Sequence, residues 1–429
     1  MLRRVDLRDE QADDSAVLPA TAGAGPDPAL ETVRAIIADV RDRGDEALRD
    51  TTAHFDGVRI EAIRVEAAAL EAAWAQAPAE LRGALEFAAG RIRAYHEAQR
   101  DAAADPEWGA DGIEVSELVR PVGRAGLYVP GGRAAYPSTV LMTSIPARVA
   151  GVAELALCVP PGPDGSPPAS TLAAAHLAGI DEVYRVGGAQ AIAAMAYGTE
   201  SIRAVDVIVG PGNKYVSLAK SEVSGDVGID SLAGPSELVV IADGTTPAEH
   251  VALDLMAQAE HGPDGTAVVI AWEVGVLDAV DAALAALVAD APRRREIESN
   301  FAGGGVSALV RDGAQAIAVS NLVAPEHLEL AVRDPEALLG RVQSAGAVFC
   351  GPWAPAVVGD YVAGPNHVLP TGRTARFASA LRVDTFRKHI HVVRMDRPAL
   401  ETVAPHVAVL TQVEGLASHG EAVARRVRP

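Results

Sequence analysis

Gln258 and His261 stand three residues apart in Met256-Ala-Gln-Ala-Glu-His-Gly262, near the end of a segment with helical texture. Positions i and i+3 share a helical face, so an amide oxygen and an imidazole can address one point in space. An imidazole with an oxygen donor beside it suits a borderline divalent cation such as zinc. Two donors do not complete a coordination sphere. The chain offers Asp360, after Gly359, and His419 near its end as further donors. Taken alone a Gln-x-x-His pair is weak; Asp360 could equally cap a turn, and His419 could serve the end of a helix. His389 and His391 also sit on one strand face, but four better donors exist and the pair reads as surface. His367 reads as a structural residue.

These side chains need elements to carry them. Residues 27–104 repeat Ala, Leu and Glu at helical spacing with few breakers. From about residue 115, short apolar runs that end in glycine turns alternate with helical segments, the texture of α/β units. Gly126–Gly132, Glu182–Gly188 and Val205–Val209 running into Gly210-Pro-Gly-Asn213 are such units. A second set starts at Leu238–Ile241, where Pro247 opens the helix that leads to His261. Its further strands are expected at Ala267–Trp272, Ser307–Val310 and Ala347–Cys350. The last 30 residues read as helical. A glycine turn between strand and helix offers backbone N–H groups to an anion, a dinucleotide pyrophosphate included. The full Gly-x-Gly-x-x-Gly word is absent, since Tyr215 stands where the third glycine of Gly210-Pro-Gly212 would fall. Periodicity alone leaves a dinucleotide site open.

Composition narrows the class. The 429 residues suffice for more than one domain, and 49% of them are hydrophobic but only 4% aromatic. Lys and Arg number 37 against 57 Asp and Glu, a formal charge of −20, which disfavours nucleic acid. Cys158 and Cys350 end apolar runs and imply no disulfide framework. No apolar run is long enough to span a membrane and no signal-peptide pattern follows Met1, so a cytoplasmic protein is expected.

Longer words carry a resemblance. Gly210-Pro-Gly-Asn-Lys-Tyr-Val216, Ile229-Asp-Ser-Leu-Ala-Gly-Pro-Ser-Glu237 and Gln258-Ala-Glu-His261 occur in that order. Ala324-Pro-Glu-His-Leu-Glu329, Gly359-Asp-Tyr-Val-Ala-Gly-Pro-Asn-His-Val-Leu-Pro-Thr371 and Glu414-Gly-Leu-Ala-Ser-His419 follow. Together they resemble the histidinol dehydrogenases, from about residue 25 to the C-terminus. The resemblance implies NAD- and zinc-dependent oxidation of L-histidinol to L-histidine through the aldehyde. It implies Gln258, His261, Asp360 and His419 as metal ligands, and Glu326 and His327 as the acid/base pair. Tyr128, Gln190 and Asn213 would meet NAD; Ser236, Gln258, His261, His327, Asp360, Glu414 and His419 would meet substrate. The implied fold is two Rossmann-like α/β domains, each an incomplete dinucleotide-binding fold, with helical N- and C-terminal extensions in an intertwined homodimer. Residues 1–25 would form the N-terminal extension, 26–127 with 237–381 the first domain, and 128–236 the NAD-binding domain. Residues 382–429 would form an arm through which Glu414 and His419 complete the neighbouring subunit's site.

The implied chemistry suits these residue types. A neutral imidazole is tuned to take a hydroxyl proton near pH 7, and a carboxylate can activate the water that adds to an aldehyde. The sequence departs from the family at Gly262-Pro-Asp-Gly-Thr266, where an aspartate and an Ala-Gln pair are more usual, and at Ala356, often a glutamate. A paralogue acting on another polar alcohol, such as a sulfonated diol, is the rival within enzymes. Glu414 speaks against it, because a carboxylate repels a sulfonate. A binding protein without turnover is the rival outside enzymes, and the retained Glu326 and His327 argue against that.

Overall fold

The computed structural model describes residues 2–9, 11–18, 28–102, 107–131, 134–232 and 234–428. Two parallel sheets and one antiparallel sheet organise them. The larger sheet has six strands in the order Arg3–Asp6, Gly305–Leu309, Thr266–Ala271, Glu237–Ala242, His327–Ala331, Ala347–Cys350. The smaller has five, in the order Glu182–Tyr184, Glu154–Cys158, Arg124–Tyr128, Val207–Val209, Gly228–Ile229. Every pairing within both is parallel. Central strands such as Glu237–Ala242 and Thr266–Ala271 are buried at every position, which is why they read as unbroken apolar runs rather than alternating ones.

In each sheet the chain winds outward from a central strand, crosses back, and continues on the other side. The reversal falls between Arg124–Tyr128 and Val207–Val209 in the smaller sheet, and between Glu237–Ala242 and His327–Ala331 in the larger. This is the doubly wound order of dinucleotide-binding folds, one strand short in the smaller sheet.

The helices Pro28–Arg43, Asp45–Phe55, Ala67–Gln76 and Ala79–Ala102, which the sequence reading grouped with residues 237–381, pack on the smaller sheet's layer, and Ala79–Ala102 also shares its core with Val368 and Leu381 of that unit. Val33, Ile37 and Val40 join Ile192, Val216 and Ala219 in one core; Leu85, Ala88 and Ile92 join Val140, Met142 and Ile145 in another. Strand Arg124–Tyr128 also belongs to the smaller sheet, so that unit begins before residue 128. An amphipathic face states that a helix needs a partner without naming one. The N-terminal extension is likewise not purely helical: Arg3–Asp6 forms the edge of the larger sheet beside Gly305–Leu309. The expected boundary at 25/26 lies outside the described residues.

Strand Arg387–Met395 pairs antiparallel along Ile113–Pro121, and helices Arg397–Val413 and Ala417–Val427 pack on each other beyond it. This C-terminal hairpin leaves Val409, Leu410, Val413 and Leu416 exposed, Val413 at 83%. Among the described residues no helix is long and apolar enough to cross a membrane.

Candidate active site

Two cavities matter, at opposite strand ends of the two sheets. The chain links those ends directly, leaving the smaller sheet at Ile229 and entering the larger at Glu237.

The first cavity, of about 980 Å³, opens at the carboxyl ends of the smaller sheet's strands, at its reversal point. Tyr128 closes the strand Arg124–Tyr128, Gln190 lies in the first turn of helix Gly188–Tyr197, and Asn213 caps helix Lys214–Val223 by accepting from the Val216 N–H at 3.1 Å. All three line the cavity. Gly188 opens its helix at φ +64° and donates its N–H to the Tyr128 hydroxyl at 3.1 Å. Burial and the nearby charge of Asp56 push the Tyr128 hydroxyl upward. Gly210 (φ +120°) passes so close to the Tyr128 carbonyl that a Cβ would lie on its oxygen. Beneath that turn the fully buried Lys220 donates to the Gly210 carbonyl at 3.1 Å and pairs with Asp230, which accepts the Gly210 N–H at 2.7 Å. Glycine turns, two helix N-termini and this volume fit a dinucleotide.

The second cavity lies at the amino ends of the larger sheet's strands, the reverse of the usual placement in doubly wound folds. It holds about 20 Å³, room for one water or ion, between Gln258, His261, His327, Glu329, Asp254 and Asp360 among others. Helix Ala248–Ala259 runs back from the carboxyl ends and brings Gln258 and His261 here; Asp360 arrives on helix Ala356–Tyr361. Pro325 and the left-handed Ala324 (φ 51°) turn the chain so that Glu326 and His327 both enter the site. Glu326 accepts the Ser236 hydroxyl at 2.5 Å and the Glu237 N–H at 3.2 Å, and lies 3.7 Å from His327 Nδ1. The His327 Nε2 is 3.5 Å from Asp360.

Burial alone would depress the His327 imidazolium, but the carboxylates of Glu326 and Asp360 outweigh it and hold the ring up at about 9. Burial pushes Asp360 the other way from its partner, and the imidazolium prevails, lowering the carboxyl. His367 donates its Nδ1–H to the Asp360 backbone carbonyl (2.8 Å) and meets the Thr139 hydroxyl through Nε2 (3.2 Å), a half-buried brace behind the site.

The donor set suits a cation with N/O preference. His261 Nδ1 lies 3.2 Å from the Gln258 carbonyl, which favours the tautomer whose Nε2 keeps its lone pair. The Gln258 Nε2 and His327 Nδ1 are buried without a partner, and a substrate with a hydrogen-bond acceptor, rather than the cation, would satisfy the Gln258 N–H group. The set is incomplete in one chain: among the described residues no cluster of three His, Cys, Asp or Glu stands ready for a metal. Glu414 and His419 are exposed on the C-terminal hairpin and do not line the cavity. The sequence reading assigned both to a neighbouring subunit's site, and within one chain they stand apart from this cavity.

Three acids went unremarked in the sequence. Glu237 is lifted to about 7 by burial and by Glu326. Asp254 and Glu329 line the cavity side by side; burial raises both carboxyls, and the neighbouring Asp254 charge adds to the rise at Glu329. The Ala356 N–H donates to Glu329 at 2.5 Å. Asp254, Gln258 and His261 follow a four-then-three spacing along one helix face, a signal that was available. His389 and His391 stand exposed and share Glu117, at 2.9 and 3.3 Å.

The fold and this chemistry define an α/β oxidoreductase. A family model described as histidinol dehydrogenase matches residues 23–427. A histidinol dehydrogenase of Parasynechococcus marenigrum (strain WH8102) is 51% identical over 92% of this chain and 90% of its own. One from Prochlorococcus marinus (strain MIT 9313) is 48% identical over 92% and 89%. The crystal structure of histidinol dehydrogenase from Elizabethkingia anophelis superposes with a TM-score of 0.94 at 33% identity, covering 99% of this chain and 98% of that one. The chain belongs to the histidinol dehydrogenase family.

Proposed function

We propose that this chain oxidises L-histidinol to L-histidine through L-histidinaldehyde, with NAD as oxidant and a zinc ion in the small cavity. The convergence of Gln258, His261, Asp360 and His327 on one ion-sized space carries the reading. Gln258, His261 and Asp360 would hold the ion, with His419 of a second copy as the remaining protein donor. Bound there, the ion supplies charge stabilisation and a fixed orientation for the alcohol. NAD, in the cavity lined by Tyr128, Gln190 and Asn213, supplies the hydride acceptor.

The remaining work falls to side chains. His327, beside both Glu326 and Asp360, takes the hydroxyl proton of the alcohol. Held by Asp360, a cation would offset one of the charges that favour the imidazolium, and His327 would then lie nearer the neutral form a base requires. Glu326, fixed by Ser236 and the Glu237 N–H, activates the water that adds to the aldehyde. Ser236 and Glu414 contact the substrate, and the Glu414 carboxylate suits its cationic amine or imidazole. The unpartnered apolar face of Val409, Leu410, Val413 and Leu416, next to both Glu414 and His419, supports a homodimer in which the arm crosses to its partner.

The test is NADH formed per L-histidinol consumed by metal-loaded protein, with a chelated sample alongside. Two NADH per substrate, lost on chelation, is the expected result. No turnover in the loaded sample would turn the reading toward a relative that oxidises another polar alcohol.

A further inference from the structure

In doubly wound folds an acid at the end of the second strand ordinarily binds the adenosine ribose and sets the choice between NAD and NADP. The corresponding strand here is Glu154–Cys158, and the chain continues as Val159-Pro160-Pro161-Gly162, with no acid. The prolines line the cavity in its place. Among the described residues that line the cavity, the one charged side chain is Asp56, and no lysine or arginine is present.

Asp56 comes from outside the sheet, as the C-cap of helix Asp45–Phe55, which packs on helix Gly188–Tyr197. That position disfavours an acid, because the helix dipole places its negative end there. The carboxylate gains nothing local in return: its Oδ2 is buried with no hydrogen-bond partner. Burial lifts the carboxyl above its ordinary range, as an unsatisfied group requires. Ile36, Phe55 and Val58 give an apolar wall beside it, suited to the flat face of a base. That apolar wall assigns the end of the cavity beside Asp56 to the adenosine.

We infer that Asp56 accepts the adenosine ribose hydroxyls of the dinucleotide and, by its charge, excludes a 2′-phosphate, so that it sets the preference for NAD over NADP. The inference rests on the NAD reading of this cavity. The acid usually supplied by the second strand is supplied here by a helix C-terminus packed against the sheet. A carboxylate that accepts a ribose hydroxyl contributes about tenfold or more to affinity, and it opposes a phosphate at the same place through like charge.

The test is calorimetric titration of the full-length, metal-loaded protein and of Asp56→Asn with NAD, NADP and 2′-deoxy-NAD. In the wild-type protein NAD binds, while NADP and 2′-deoxy-NAD each bind about tenfold or more weakly. In Asp56→Asn the NAD affinity falls and the NADP affinity rises, so the ratio narrows by about tenfold or more. The 2′-deoxy comparison in the wild-type protein stands even if the variant fails to fold. Equal binding of NAD and 2′-deoxy-NAD to the wild-type protein, or an equal loss for NAD and NADP in the variant, overturns the inference and leaves the NAD reading in place. No binding of any of the three to the wild-type protein overturns both.

Discussion

Lys220→Met isolates what holds the cofactor turn. Lys220 is 1% exposed, and its ammonium is shared between the Gly210 carbonyl and the Asp230 carboxylate. Methionine keeps most of the stem's packing but leaves a carboxylate with 3% side-chain exposure facing no cation. Breaking a buried pair from one side costs about 3–5 kcal/mol, because the remaining charge is stranded. Asp230 retains the N–H groups of Gly210 and Ser231, each at 2.7 Å, which places the cost near the lower limit. A loss of about 3 kcal/mol corresponds to a shift of about 1 M in the urea midpoint for a slope near 3 kcal/mol/M. The double variant Lys220→Met with Asp230→Asn removes the stranded charge but keeps an acceptor oxygen for only one of the two N–H groups, which bond different carboxylate oxygens, and is expected to recover part of the loss. Urea unfolding followed by circular dichroism reads both, and NAD titration reads the turn that carries Asn213. A midpoint for Lys220→Met within about 0.2 M of wild type, or a double variant no more stable than the single, would refute the reasoning.

Glu326→Gln is expected to slow oxidation of supplied histidinaldehyde by about 10²–10⁴-fold, with a smaller effect on the alcohol step; equal slowing of both half-reactions would end the division of labour with His327. Mixing inactive His327→Asn and His419→Ala subunits should restore about a quarter of wild-type activity if the arm crosses between subunits, since half of the random dimers then carry one intact site. No recovery after verified subunit exchange would place His419 and His327 in one chain's site. Glu237 carries a raised folded-state pKa of about 7 against 4.5 when unfolded, so the stability it contributes is complete below pH 4.5 and disappears as pH rises through 7. Glu237→Gln should therefore remove about 3 kcal/mol of the stability lost between those pH values, and unchanged pH dependence in denaturant titrations would contradict the assigned burial.

Much of the molecule was legible in order along the chain. Local periodicity located the N-terminal helices, the two α/β sets and the helical end, because alternation of strand and helix is written in nearest neighbours. Family words singled out Gln258, His261, Glu326, His327 and Asp360, since residue type and short spacing survive in a linear text. Partner choice between distant segments does not. The helices of residues 28–102 show apolar faces that either sheet could cover, and only close packing of Val33, Ile37 and Ile92 selects the smaller one. The placement of the catalytic residues at the amino ends of the larger sheet depends on where helix Ala248–Ala259 returns, which no word in the sequence states. Asp254 meets Glu329, and Asp56 enters a cavity whose other walls lie far from it in sequence, only once the chain has closed on itself. The sequence by itself determined which chemical groups are available and which elements carry them. The tertiary structure decided which groups meet and which carboxylates are left in dry surroundings, because burial and long-range contact are properties of the packed chain and not of any local stretch.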